Sequence, residues 1–265
     1  MSAPRIFDQH HYELLNHTRG EVVSRLLAEL KSPLSLHTAV DVGCGLGYFS
    51  ALLQSLGLQV TAADGRRENA EEAARRVPNV HFHTINAEDS TLRSLGTFDL
   101  VFCFGLLYHL ENPFLTIRHL HAMTKSLLLV EGLIYPGDEP VMGLVDETPF
   151  EDQGLRNYAF YPTEACLVKM MYRAGYPHVH RFTAPPDHPE YHDTPSARKN
   201  RTVLAASLRP LASAFLAEIP EPPSAAKPWI EERAAEEDAI SKLRRFAGKP
   251  LPQKVESIRR LVKGK

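Results

Sequence analysis

The residues best equipped for chemistry stand in Ala39-Val40-Asp41-Val42-Gly43-Cys44-Gly45-Leu46-Gly47, where an acid precedes three glycines at alternate positions. Alternate glycines let a backbone turn sharply and lie flush against a ligand, because no Cβ intervenes. The apolar sequence that follows suits a helix, whose first N–H groups point back at the turn. Spacing excludes two phosphate-binding sites. A dinucleotide fingerprint beginning at Gly43 and Gly45 needs its third glycine where Tyr48 stands. A phosphate loop needs Gly-Lys-Ser/Thr, and no such triplet follows these glycines. A carboxylate at Asp41 repels a pyrophosphate and suits a cation, so the turn predicts a positively charged ligand.

Holding such a turn takes a strand before it and a helix after it. The pattern predicts strands over 39–42, 59–63, 80–85, 98–104 and 126–130, alternating with helices over 47–56, 68–76 and 113–123. Gly57 suits the end of the first of these helices. Strand–helix alternation with short connections argues for an α/β fold, a doubly wound, mostly parallel sheet with helices on both faces. An earlier helix over 11–30 carries Leu14, Leu15, Val22, Val23, Leu26, Leu27 and Leu30 as an apolar stripe, closed by Ser32-Pro33. Residues 132–162 hold glycines and prolines without a clear period. A helix from Thr163 to the terminator Gly175 and strands over 178–182 and 202–207 complete seven strands. The expected organisation is an N-terminal helical cap over 1–37, a main domain over 38–210 with an insertion at 132–162, and a helical tail over 211–265.

At 265 residues the chain can bury one sizeable core, and 43% hydrophobic residues with a net charge of −2 describe an ordinary globular protein. That balance gives no general case for nucleic acid or membrane binding. The longest apolar run, over 100–107, falls well short of the ~18 residues a membrane span needs. The first nine residues show no secretory signal, and Cys44, Cys103 and Cys166 are too few and too scattered for a disulfide framework. A reduced cytoplasm is the expected setting.

Beside the glycine turn stand three further segments in fixed order: Asp64-Gly65, Asn86-Ala87-Glu88-Asp89, and Phe104-Gly105-Leu106-Leu107-Tyr108-His109-Leu110. Together, across about residues 12–208, they resemble the class I S-adenosylmethionine-dependent methyltransferases, whose fold is Rossmann-like. The resemblance implies S-adenosyl-L-methionine as cofactor. It assigns the cofactor loop to Asp41, Gly43, Cys44, Gly45 and Gly47, and the ribose hydroxyls to Asp64 beside Gly65. Asn86, Ala87 and Glu88 fall at the adenine, and Phe104, Gly105 and Leu106 beside the methionine part and the reacting methyl. The family often has Asp where Asn86 stands; asparagine also offers a carbonyl acceptor, and Asp89 is the other acid nearby.

Methyl transfer to oxygen or nitrogen displaces an already activated group, so the protein must align the acceptor, exclude water and remove a proton. His109, after strand four, is the first candidate base, against a role capping the next helix or packing on Tyr108; Glu131, at the end of strand five, is the second, against a buried carboxylate that orients the loop. Tyr12, Asn16 and Arg19 share a helix face, either as contacts for an anionic end of the cofactor or as a solvated surface. Tyr108, Tyr135, Tyr158, Phe160 and Tyr161 suit a stacking surface or lid over a ring-shaped substrate, or a small core of the insertion itself, and Arg156 can meet an anionic group. His188 and His192 with Asp187 and Asp193 have metal-like composition, but Pro189 breaks the helix that would align them, so no metal is expected. In the basic tail, Val255, Ile258, Leu261 and Val262 suggest an amphipathic helix that docks on its own domain or on a second copy, or touches RNA or an anionic membrane.

The expected function is methylation of an oxygen or nitrogen of a small molecule, such as a sugar or natural-product precursor, with no membrane partner and a homodimer through the tail as an option. The segment from Phe104 to Pro113 also looks like the corresponding part of bacterial enzymes that finish a wobble-uridine side chain of tRNA, which keeps nucleic acid open as a partner. A non-catalytic S-adenosylmethionine-binding protein is the third alternative.

Overall fold

The computed structural model describes residues 5–150, 152–223, 240–248, 250 and 253–254. A 3-10 turn, Ile6–Asp8, leads into α1 (His10–Leu30), which buries Leu15, Val22, Val23, Leu26, Leu27 and Leu30. Leu14, expected in that stripe, is exposed instead. Then follow β1 (Thr38–Val42), α2 (Tyr48–Ser55), β2 (Gln59–Asp64), α3 (Arg67–Arg76), β3 (His81–Thr84), β4 (Phe98–Phe104), α4 (Pro113–Met123) and β5 (Thr124–Leu133). Asn112 caps α4 by accepting from the Leu115 amide at 3.1 Å, with Pro113 in the first turn where no N–H is needed.

With β8 (His178–Phe182), β9 (Arg201–Ser207) and β10 (Leu216–Glu218), one sheet runs in the order β10-β8-β9-β5-β4-β1-β2-β3. β1 pairs in parallel with β2 and β4, and β4 in parallel with β5. β9 (Arg201–Ser207) closes antiparallel on β5, and β8 (His178–Phe182) on β9. Because β1 lies between β2 and β4, Gly43, Gly65 and Gly105 all leave the same carboxyl edge, where the strand order reverses and ligands of such sheets bind. Two apolar layers clamp the sheet, one around Val101, Ile117, Leu128 and Met171, the other around Leu26, Leu53, Phe102 and Leu129.

Four expectations need correction. The sheet has eight strands, not seven. The additional one, β10 (Leu216–Glu218), pairs antiparallel with β8 at the edge, Leu216 opposite Phe182. Residues 211–219 were expected to be helical; Pro210 before them and Pro220 after them leave too short a run for a stable helix, and the open edge of β8 takes the chain as a strand. The insertion is also not wholly irregular: β6 (Met142–Asp146) and β7 (Tyr158–Pro162) form a separate hairpin, joined by the loop 147–157. Last, β5 continues to Leu133, so Glu131 lies inside the strand, paired with Phe104 and Val203, rather than at its end.

The chain divides into a body through Pro223 and a second unit, Ser224–Lys265. Within the second unit residues 240–247 are helical. The proposed amphipathic stretch at Val255, Ile258, Leu261 and Val262 lies outside the described residues. Among the described residues, no helix is long and apolar enough to cross a membrane.

Candidate active site

The glycine turn builds the first wall. Gly43, Gly45 and Gly47 take φ of 81°, 52° and 86°, backbone that residues with a side chain rarely adopt. A Cβ on Gly43 would stand 2.9 Å from the Leu106 side chain, and one on Gly47 3.0 Å from Val77. Behind this turn Asp64 ends β2. Its Oδ2 accepts from the Gly45 amide at 2.9 Å and its Oδ1 from the Arg66 amide at 2.8 Å. Burial pushes the Asp64 carboxyl up, while those amide donors hold it back. Asn86 Oδ1 accepts from the Glu88 amide at 3.1 Å, and Glu88 Oε1 from the Asn112 amide at 2.6 Å, which ties the third segment to the start of α4.

These walls enclose a cavity of about 880 Å³, within the range of small-molecule sites. Gly43, Cys44, Gly45, Gly47, Asp64 and Gly65 line it, as do Asn86, Ala87, Glu88, Phe104, Gly105 and Leu106. Tyr12, Arg19, Tyr108, His109 and Arg156 complete the predicted residues on its wall. Asp41 is not among them. It lies buried beneath the turn, where its Oδ2 accepts from Ser50 Oγ at 2.6 Å, and burial raises its pKa to about 7. Cys44 is also buried; that burial, with Asp41 and Asp64 nearby, pushes its thiol far up and keeps it protonated.

Also on the cavity wall, His109 Nδ1 lies 2.5 Å from Glu147 Oε1. Both side chains are almost fully buried. An ionised carboxylate only accepts, so it places the hydrogen on Nδ1 and leaves Nε2 with a free lone pair. Glu147 Oε2 accepts in addition from the Gly154 amide at 2.9 Å, so one carboxylate holds both the imidazole and the loop above it.

Glu131 occupies a different setting. Its Oε1 accepts from Arg19 Nη2 at 3.2 Å, Arg201 Nη1 at 3.1 Å and Tyr191 Oη at 2.5 Å. Burial alone would raise its pKa, but the two guanidiniums outweigh burial and hold it below the usual carboxylate range. It stands behind the cavity wall formed by Arg19 and Arg201, and a carboxylate so stabilised is a poor proton acceptor. Sequence reasoning named it a candidate base; the geometry makes it the anion between two cations.

The expected aromatic surface disperses. Tyr161 packs edge-on against Tyr108 with centroids 5.7 Å apart, behind the wall. Tyr135 is 51% exposed and lies against Gly143 of the hairpin, while Tyr158 donates to Glu111, which also pairs with Arg156 at 3.3 Å. His188 accepts from the Glu190 amide and His192 meets the Pro186 carbonyl; among the described residues no three His, Cys, Asp or Glu group for a metal.

Several residues of the site went unnoticed in the sequence. Glu147, Asp152 and Gly154 sit in a loop without periodicity, Arg66 follows the ribose-type motif, and Arg201 opens β9. For Arg201 the signal is weak, because it ends the basic stretch Arg198-Lys199-Asn200-Arg201 at the start of β9, where a solvated charged loop is the ordinary reading.

Comparison with known proteins agrees with this geometry. The family model of a methyltransferase domain matches residues 10–176. The tRNA U34 carboxymethyltransferase of Actinobacillus succinogenes is 29% identical over 167 residues, covering 58% of this chain and 49% of that protein. The enzyme of that name from Edwardsiella ictaluri is 30% identical over 162 residues, covering 57% and 48%. The chain thus spans about half the length of the curated relatives it matches. Among solved structures, the N-terminal domain of EvdMO1 with SAH bound superposes with a TM-score of 0.58 at 19% identity, covering 73% of this chain and 81% of that one. Magnesium protoporphyrin IX methyltransferase from Synechocystis PCC 6803 with bound SAM gives 0.52 at 17%, covering 78% and 86%. These two likenesses carry the fold.

Proposed function

The chain belongs to the class I S-adenosylmethionine-dependent methyltransferases, and from that premise we propose that it methylates an oxygen or nitrogen of a small molecule held under the loop 147–157, with His109 as proton acceptor. The His109–Glu147 pair at the edge of a covered cavity carries this proposal. The residues present suit the cofactor: the left-handed backbone of glycines 43, 45 and 47 brings the turn to the cavity wall, and Asp64 lines the same wall at the strand end. Asp64 would hold the ribose hydroxyls, Asn86 to Glu88 the adenine, and the glycine turn the methionine part. When bound, S-adenosylmethionine supplies a methyl group already activated on a sulfonium. The chain's own tasks are therefore positioning, exclusion of water and removal of one proton. His109 Nε2 takes that proton, and Glu147 stabilises the imidazolium that results. Glu131 acts at a distance, fixing Arg19 and Arg201 in the wall.

Replacing His109 by Ala tests the assignment: turnover should fall by about 10²–10⁴-fold while affinity for S-adenosylhomocysteine stays unchanged. Turnover at the wild-type rate would remove His109 from the role.

Carboxymethyl transfer to tRNA, the activity named for the curated relatives, is the alternative. Arg201 is the observation that favours it: a 9%-exposed guanidinium on the cavity wall, 5.8 Å from the Tyr108 ring centroid, suited to a carboxylate on the transferred group. A cofactor carrying that carboxylate should then bind more tightly than S-adenosylmethionine, and Arg201→Met should abolish the preference.

A further inference from the structure

The loop 147–157 has little apolar burial to hold it. Phe150 is 58% exposed and Leu155 47% exposed. A hairpin is ordinarily closed by about two to five residues, so this connection is long for its place. What ties it down is polar, and most of it converges on one side chain outside the loop. Arg66 Nη2 donates to the Gly154 carbonyl at 2.8 Å, to that of Gln153 at 3.1 Å and to that of Phe150 at 3.3 Å. Its Nε donates to the Gln153 carbonyl as well, at 3.3 Å. The backbone amide of the same residue donates to Asp64 Oδ1 at 2.8 Å. Arg66 therefore spans the strand end that faces the ribose and the loop above it. Directly beside it, Leu155 presses on the backbone of Gly65, so closely that a Cβ there would stand 2.8 Å from Leu155 Cδ1.

We infer that Arg66 is a positioning residue that clasps residues 152–155 over the ribose end of the cofactor site, so that cofactor leaves only when this clasp opens. The inference rests on the cofactor assignment and concerns the chain's own loop. A planar guanidinium can serve three carbonyls that diverge in direction, whereas an ammonium is a point charge and serves them less well. Substitution should therefore act in a graded manner. Arg66 takes the Gly154 carbonyl while Glu147, the partner of His109, accepts from the Gly154 amide, so the clasp and the proton-accepting pair hold one loop residue from two sides, and residence of the cofactor is the readout specific to Arg66.

The test uses the full chain with Arg66→Gln and Arg66→Lys, probed by S-adenosylhomocysteine. The dissociation rate, measured by displacement in stopped flow, should rise about tenfold or more in Arg66→Gln and less in Arg66→Lys. Trypsin supplies a second readout, because the Arg156 side chain is 67% exposed and marks a cleavage site within the loop. S-adenosylhomocysteine should slow cleavage after Arg156 in the wild type and fail to do so in Arg66→Gln. A merely structural role would lower the melting temperature without removing that ligand-dependent protection. An unchanged dissociation rate with protection retained overturns the clasp while leaving the cofactor site intact. Failure of the wild type to bind S-adenosylhomocysteine overturns the cofactor site, and the clasp with it. If Arg66→Gln does not fold, amide exchange of residues 152–156 in the wild type decides: slowing on ligand addition supports the clasp, and an unchanged rate refutes it.

Discussion

Two walls of the cavity are built from different materials. Along the glycine turn the contacts are mostly backbone: three glycines with positive φ, amides of Gly45 and Arg66 on the Asp64 carboxylate, and an asparagine turned onto the backbone two residues on. All of these belong to segments adjacent in the sheet. The wall that carries Arg19, His109 and Arg201 is built from side chains gathered over long distances in the sequence. Arg19 of α1 meets Tyr191, and Glu131 of β5 meets Arg201 of β9, while His109 meets Glu147. A backbone-built wall fails by steric conflict, which is local. A charged network fails by leaving a neighbour uncompensated, which spreads through the core.

That contrast ranks the expected damage. Glu131→Ala should be the most severe change, because it removes the carboxylate that pairs with Arg19 and leaves Arg201 with Glu190 alone, both guanidiniums being almost fully buried. Removal of one partner from a buried charged group costs ~3–5 kcal/mol, readable from urea unfolding at neutral pH. The pH dependence has a definite sign. The folded-state pKa of Glu131 lies below its usual 4.5, so its contribution is complete above that value and fades as pH falls through the lowered one. The stability gap between wild type and variant should therefore narrow only in acid. A gap of under about 1 kcal/mol at neutral pH would show that the network is not what holds that wall together.

Gly43→Ala should be milder for stability, ~1–3 kcal/mol for a side chain forced into left-handed backbone, and more damaging for the ligand. The added Cβ drives into Leu106, which lines the cavity. Affinity for S-adenosylhomocysteine measured by calorimetry should fall more than stability does. The reverse order would mean that the turn is structural only.

The same contrast explains what could be read from the sequence. The glycine turn, Asp64 and the segment at Asn86 were legible because backbone geometry is local: a strand end, a turn and a helix start occupy one continuous stretch, and spacing reports them. Arg19 was legible as one of three polar residues on a helix face, but not its partner Tyr191, 172 positions away. Glu147 carried no signal, since an acid in an aperiodic loop looks the same whether it faces water or an imidazole. Asp41 was read as a ligand contact; its burial under the turn depends on Ser50 of α2, which no motif marks. In the sheet, the β10 edge strand was hidden by alanine- and glutamate-rich composition that favours helix, a preference overridden by the flanking prolines and by the open edge of β8.

The central claim is that the carboxyl edge of β1 and β2 holds S-adenosylmethionine through Asp64. It is tested most directly by thermal unfolding with and without S-adenosylhomocysteine, in the wild type and in Asp64→Ala. The ligand should raise the wild-type melting temperature by mass action. The variant should remain folded and bind ~1–3 kcal/mol more weakly, for loss of a hydrogen-bonded acceptor, so that most of the shift disappears at equal ligand concentration. No wild-type shift at millimolar ligand, or an undiminished shift in Asp64→Ala, would contradict it.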